Sequence, residues 1–206
     1  MSIGSTVVED IFSRAGAYLE GHFLLSSGLH SPFYLEKFQI LQWPQETERL
    51  CAAIVESARG LDVQTVAGPT TGGIILAHEV ARQLGVRAVY AERTVYAERT
   101  ADGRGREFRR GFRLNPGERV LVVDDIMSTG GSVHETIDAV RSSGAEVVGV
   151  GVLVDRSSGQ ARFDGLPVIA LWDVSIPTYP PDTCPQCAQG VPLVKPGTTP
   201  APLIRA

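Results

Sequence analysis

The run Arg119 to Val123, RVLVV, is apolar at its last four positions. A strand with one face in water alternates apolar and polar residues, so an unbroken apolar run signals burial on both faces and demands a layer of structure on each side. The segment that follows, DDIMSTGG, leads into an amphipathic helix with an apolar stripe at Val133, Ile137 and Val140. Ser132 and Glu135 have the S-x-x-E spacing of a capping box at its start, and Gly144 marks its end. The same order of elements occurs upstream: a β-rich run from Val63 to Gly68, the loop PTTGG, a helix over Ile74 to Leu84 stopped by Gly85, and a strand over Val86 to Tyr90. Val147 to Val154 and Val168 to Leu171 supply further strands. Strands alternating with helices predict an α/β fold, a central mostly parallel sheet flanked by helices, with ligands beyond the carboxyl ends of the strands.

The ends of the chain read differently. A helix is predicted over Thr6 to Arg14, then a turn-rich stretch, SSGLHSPFYLEKF, then a second helix after Pro44, while the tail from Asp173 is rich in proline and glycine. From their order, residues 1–60 and 173–206 are expected to pack as a small hood over a core of about residues 60–172. At 206 residues and 43% hydrophobic, one domain can bury a core without disulfides. The N-terminal stretch has no basic start followed by an apolar core, and no apolar run approaches the roughly 18 residues of a membrane span, so a cytoplasmic protein without membrane association is expected.

Charge is unevenly placed. The chain holds 19 Lys+Arg against 23 Asp+Glu, and the only lysines are Lys37 and Lys195. Arg87 to Arg113 contains eight arginines against four acids, so a segment at +4 sits in a chain at −4 and leaves −8 for the rest. That distribution suits a small polyanion and excludes a protein that coats nucleic acid. The same segment holds a repeat, VYAERT, at Val89–Thr94 and Val95–Thr100. The first copy completes a strand and the second lengthens a loop running to about Pro116, predicted to lack regular structure; so long a loop reads as a lid. Cys184 and Cys187 form a lone C-x-x-C, half of a zinc site at most, whose second half would have to come from a partner subunit; a plain thiol-bearing turn is the simpler reading.

The stretch VLVVDDIMSTGGS, Val120 to Ser132, carries the chemistry. The backbone N–H groups of Met127 to Gly131, with the hydroxyls of Ser128, Thr129 and Ser132 and the helix N-terminus, can converge on a phosphate. Asp124 and Asp125 would repel that phosphate on contact and are better suited to accept hydrogen bonds from ribose hydroxyls. The two halves together describe a site for a 5-phosphoribosyl group. Neither lysine lies near this stretch in the chain, which excludes a P-loop, and the acids precede the loop, which excludes a dinucleotide fingerprint.

This stretch resembles the phosphoribosyl pyrophosphate motif of the type I phosphoribosyltransferases. Phe23 to Leu35, FLLSSGLHSPFYL, is similar to a segment of the orotate-specific members; VLVDRS, Val152 to Ser157, is similar to their strand-end D-R; and CPQCAQGVPLVKPGT looks like the tail of a bacterial subgroup. The resemblance implies a Rossmann-like core under a hood, and transfer of the 5-phosphoribosyl group from phosphoribosyl pyrophosphate to N1 of orotate. Asp124, Asp125 and a lid arginine, Arg93 or Arg99, are then catalytic. Asp124, Asp125, Ile126, Met127, Ser128, Thr129, Gly130, Gly131 and Ser132 bind the phosphoribosyl end, and Thr70, Thr71, Gly72 and Gly73 bind pyrophosphate. Ser128, Arg156, Ser26 and Tyr34 are the implied orotate residues. Mg²⁺ is implied, held mainly by substrate with no firm protein ligand, as is a homodimer whose lid crosses to the neighbouring site. Two departures stand out: Ser26 replaces a lysine common in these enzymes, and the lid lacks lysine and histidine. A purine phosphoribosyltransferase and a phosphoribosyl-pyrophosphate-sensing regulator are the rival readings on the same fold.

Overall fold

The computed structural model describes residues 4–25, 27–94 and 105–196. Helix α1 (Ser5–Arg14) leads to a hairpin of β1 (Tyr18–Leu24) and β2 (His30–Leu35), then a single turn α2 (Phe38–Leu41) and α3 (Pro44–Ala58). Two strand–helix–strand units follow: β3 (Thr65–Pro69), α4 (Gly72–Leu84) and β4 (Arg87–Arg93), and, after β5 (Arg106–Phe108), β6 (Arg119–Met127), α5 (Gly131–Ser142) and β7 (Glu146–Asp155). Strand β8 (Val168–Asp173) completes the sheet and a short helix α6 (Pro185–Ala188) lies in the tail.

Six strands form one sheet in the order β5-β4-β3-β6-β7-β8, parallel throughout except for β5. The first unit winds outward from β3 and the second winds the other way from β6, so β3 and β6 are central and a crevice opens beyond their carboxyl ends. The apolar run expected in β6 is buried, Val120 to Val123 each being 0% exposed. Its side chains alternate between two cores: Leu121 and Val123 face α4 (Leu76, Val80), and Val120 and Val122 face α5 (Val133, Ile137, Val140).

Three expectations are corrected. The capping box does not form: α5 begins at Gly131 with Gly130 as its N-cap and no side-chain cap hydrogen bond, because Ser132 already lies inside the helix. Glu135 instead pairs with Arg106 at 3.2 Å. The segment after β4 is not wholly irregular: Ala91, Glu92 and Arg93 pair antiparallel with Phe108, Glu107 and Arg106. Finally, α1 and α3 do not belong to a hood. Val8, Ile11 and Phe12 of α1 and Leu50 and Ile54 of α3 enter the same core as α4 and β6, because their apolar stripes need a sheet face to cover. What stands apart is the β1–β2 hairpin, bridged to the tail at Phe23–Val194 and His30–Tyr179. Gly85, the predicted stop of α4, does end it, in the left-handed conformation at φ 71°.

Candidate active site

Strand β6 runs four residues past Val123, which places the two aspartates inside the strand and therefore on opposite faces of the sheet. Asp124 is on the α5 side and lines a cleft of about 150 Å³ with Ile126, Met127, Ser128, Thr129, Gly130, Gly131, Ser132 and Val133. This is the stretch expected to bind a phosphate. Gly130 is at φ 79°, and a Cβ there would stand 3.1 Å from Phe163, so the turn into α5 favours glycine on both counts. Ser128 and Thr129 are exposed at the cleft's mouth. The Asp124 carboxyl accepts the Asp125 N–H at 2.9 Å. Its burial, then the Asp125 charge, pushes it up to about 7.

Asp125 points the other way and is held by a residue that the motif alone did not suggest. Lys37, just after β2, places Nζ 3.0 Å from Asp125 Oδ1 and 2.9 Å from Oδ2. Burial pulls Lys37 down, but the Asp125 charge and hydrogen bond outweigh it and hold the ammonium above its usual value. A lysine remote in the chain is thus packed against the motif. The only sequence signal was scarcity, one of two lysines in 206 residues.

The PTTGG loop meets Asp125 from α4. A Cβ on Gly72 would come within 1.8 Å of Asp125 Oδ2, and one on Gly68 within 2.2 Å of the Gly73 carbonyl oxygen, so both contacts require glycine. Thr70 and Thr71 are joined by a cis peptide bond. Arg106, at the start of β5, donates to Thr70 Oγ1 at 3.0 Å and to the Ala91 carbonyl at 3.1 Å. It was missed in the sequence because an arginine in an arginine-rich segment reads as surface charge; its side chain is 2% exposed. Arg93 sits opposite it in register, exposed at the end of β4. Arg99 and Ser26 lie outside the described residues.

Arg156 follows β7, and its backbone N–H donates to the Met127 carbonyl at 2.7 Å, fixing it beside the turn that opens α5. It is not a surface partner of Asp155, whose carboxylate accepts the Ser157 N–H at 2.6 Å instead. Burial lowers the Arg156 guanidinium below its usual value, while the phenols of Tyr34 and Tyr18 act in the opposite direction. Among the described residues its buried Nε has no hydrogen-bond partner. A half-buried guanidinium with an unused buried Nε–H, within electrostatic reach of two tyrosines, has the chemistry to pair with an anionic group. Tyr34 is half-buried on β2 and packs against Phe23 at 5.7 Å.

A crevice at the carboxyl ends of β3 and β6, a Gly-rich turn opening α5 and a strand-borne pair of carboxylates define a type I phosphoribosyltransferase. Residues 38–180 match the model of the phosphoribosyl transferase domain, and the chain belongs to that family. Within it, the chain is 51% identical over 92% of its length to the orotate phosphoribosyltransferase of Desulforamulus reducens, covering 94% of that protein. It is 48% identical over 93% of its length to the enzyme of the same name from Caldanaerobacter subterraneus, covering 96% of it. The structure superposes on the crystal structure of orotate phosphoribosyltransferase from Aeropyrum pernix with a TM-score of 0.69 and 27% identity, over 81% of this chain and 93% of that one. An adenine phosphoribosyltransferase from Rhodothermus marinus shares the fold, with a TM-score of 0.65 over 82% of this chain and 99% of that one, at 22% identity.

Proposed function

We propose that the protein transfers the 5-phosphoribosyl group of phosphoribosyl pyrophosphate to N1 of orotate, giving orotidine 5'-monophosphate and pyrophosphate. The observation that carries this reading is Arg156: a half-buried guanidinium whose buried Nε has no partner among the described residues, beside the turn that opens α5, suits the orotate carboxylate, which purines lack. The names and near-full coverage of the relatives support it.

In this reading the loop from Ile126 to Ser132 holds the 5'-phosphate with backbone N–H groups and hydroxyls. Asp124 accepts a hydrogen bond from a ribose hydroxyl. Asp125, oriented by Lys37, places negative charge near the ribose, where positive charge grows as the bond from C1 to pyrophosphate lengthens and N1 approaches. The Thr70–Gly73 amides hold pyrophosphate, and Arg93 or Arg99 neutralises it while the lid excludes water. Tyr34 and Arg156 fix the orotate ring and its carboxylate, so the nucleophilic nitrogen is presented in line.

Asp124 fits a role toward Mg²⁺: it is a hard oxygen donor lining the cleft, raised in pKa by burial and then by the Asp125 charge, with Lys37 and Arg106 only partly offsetting both. Bound there, mostly through substrate and water, the ion would neutralise charge on the leaving group. We also infer a homodimer in which each lid closes on the partner's cleft. Purified protein assayed with phosphoribosyl pyrophosphate, Mg²⁺ and each of orotate, uracil, adenine and hypoxanthine tests the assignment. Turnover with orotate alone is expected; consumption of a purine but not orotate would overturn it.

A further inference from the structure

His22, His30, Cys184 and Cys187 each turn one ligand atom toward a common point, all four atoms lying within 4.8 Å of one another. The second half of the C-x-x-C site, sought in a partner subunit, is supplied by the same chain from the β1–β2 hairpin. We propose that these residues bind one zinc ion as a closed, tetrahedral structural site that fastens the tail to the hairpin.

The spacing is that of a tetrahedron. With zinc–nitrogen distances near 2.05 Å and zinc–sulfur near 2.3 Å, tetrahedral angles separate two nitrogens by about 3.3 Å and a nitrogen from a sulfur by about 3.6 Å. Here His22 Nε2 is 3.0 Å from His30 Nδ1. Cys184 Sγ is 3.5 Å and Cys187 Sγ 3.7 Å from His22 Nε2, and Cys187 Sγ is 3.3 Å from His30 Nδ1.

The surroundings are built for a ligand set. His22 Nδ1 is 2.8 Å from the Val191 carbonyl, which can only accept, so Nδ1 carries the proton and Nε2 presents its lone pair to the cluster. His22, His30 and Cys184 are 2%, 5% and 3% exposed. Two thiolates and two neutral imidazoles give a neutral zinc complex, and with all four positions filled by protein the ion has no open site for catalysis.

The backbone explains what such an ion would fasten. His30 exchanges two 2.8 Å hydrogen bonds with Tyr179, the Val194 N–H donates to the His22 carbonyl at 2.8 Å, and Gln186 Nε2 donates to the Gly21 carbonyl at 2.6 Å. The tail offers little else to hold it: among its described residues from Ile176 to Pro196, Cys184 is the only buried one. From His30 the chain runs directly through Tyr34 to Lys37, so the metal would also anchor the segment that reaches Asp125.

The test is metal content and spectroscopy on full-length, untagged protein purified without added metal. One zinc per chain is expected, removable by a strong chelator together with a lower Tm and faster proteolysis between residues 176 and 196. Cobalt exchange should produce intense tetrahedral visible bands and thiolate charge transfer. Cys187→Ser, at the exposed position, should lose both the zinc and the charge-transfer intensity contributed by that sulfur. Protein with no bound metal that takes up neither zinc nor cobalt after reduction, with a Cys184–Cys187 disulfide or with free thiols, would overturn the proposal. Retention of one zinc and an unchanged cobalt spectrum in Cys187→Ser would do so as well.

Discussion

Lys37 Nζ lies 2.9 Å from Asp125 Oδ2, although 88 residues separate the two in the chain. The Asp125 side chain is 3% exposed and the lysine 33%, so the carboxylate depends on this cation. Breaking a buried pair from one side costs about 3–5 kcal/mol, and the partial exposure of Lys37 places this pair at or below the lower end. Lys37→Met should therefore lower the urea midpoint, and adding Asp125→Asn should recover part of the loss. A double variant less stable than Lys37→Met alone would show that the ion pair does not govern the site.

Asp124 titrates in the opposite sense from a paired carboxylate. Its pKa is raised from 3.8 to about 7, so between those values the folded chain holds a proton that the unfolded chain has released. Its contribution to stability is present at low pH and is lost as pH rises toward about 7. Denaturation of wild type and Asp124→Asn across that window isolates this group: wild type should lose stability relative to the variant as pH increases. The kcat/KM for phosphoribosyl pyrophosphate should rise over the same window as the carboxylate ionises; a difference curve flat with pH would refute the assignment.

Arg156→Ala should raise the KM for orotate by about 10- to 100-fold, the worth of one charge-assisted hydrogen bond, and leave the KM for phosphoribosyl pyrophosphate nearly unchanged. Steady-state kinetics with each substrate varied in turn separates the two. Equal effects on both would place Arg156 elsewhere in the mechanism.

Gly72→Ala puts a methyl where only 1.8 Å separates it from Asp125 Oδ2. The carboxylate must move away from Lys37 or the loop must shift, at a cost of about 1–3 kcal/mol. Turnover should fall more than stability, measured by kcat alongside thermal unfolding. An enzyme with wild-type kcat would mean that the contact does not matter to the reaction.

If the lid acts across a dimer, two inactive proteins can rescue each other. Asp125→Asn and the Arg93→Ala/Arg99→Ala double variant, mixed after reversible dissociation, form hybrids with one intact site, and random pairing of equal amounts restores about a quarter of wild-type activity. Activity that stays near zero in dimers shown to exchange would place the lid over its own cleft.

The α/β class, the two strand–loop–helix units and the Gly-rich turn that opens α5 could be read along the chain because each is local: burial on both faces shows as an apolar run, helices as a 3.6-residue stripe, and the turn as glycines and hydroxyls in one short stretch. The stop of α4 at Gly85 was legible for the same reason. The tertiary structure decided what depends on distant chain segments meeting. It extended β6 through the aspartates and so turned Asp124 and Asp125 to opposite faces, delivered Lys37 to one of them, and buried the Arg106 side chain at the start of β5. It also drew α1 and α3 into the main core and closed His22 and His30 onto Cys184 and Cys187. The stripes of α1 and α3 and the C-x-x-C spacing are local signals, but the distant partner each one meets is not, because no local rule links residues that only folding brings within a few ångströms.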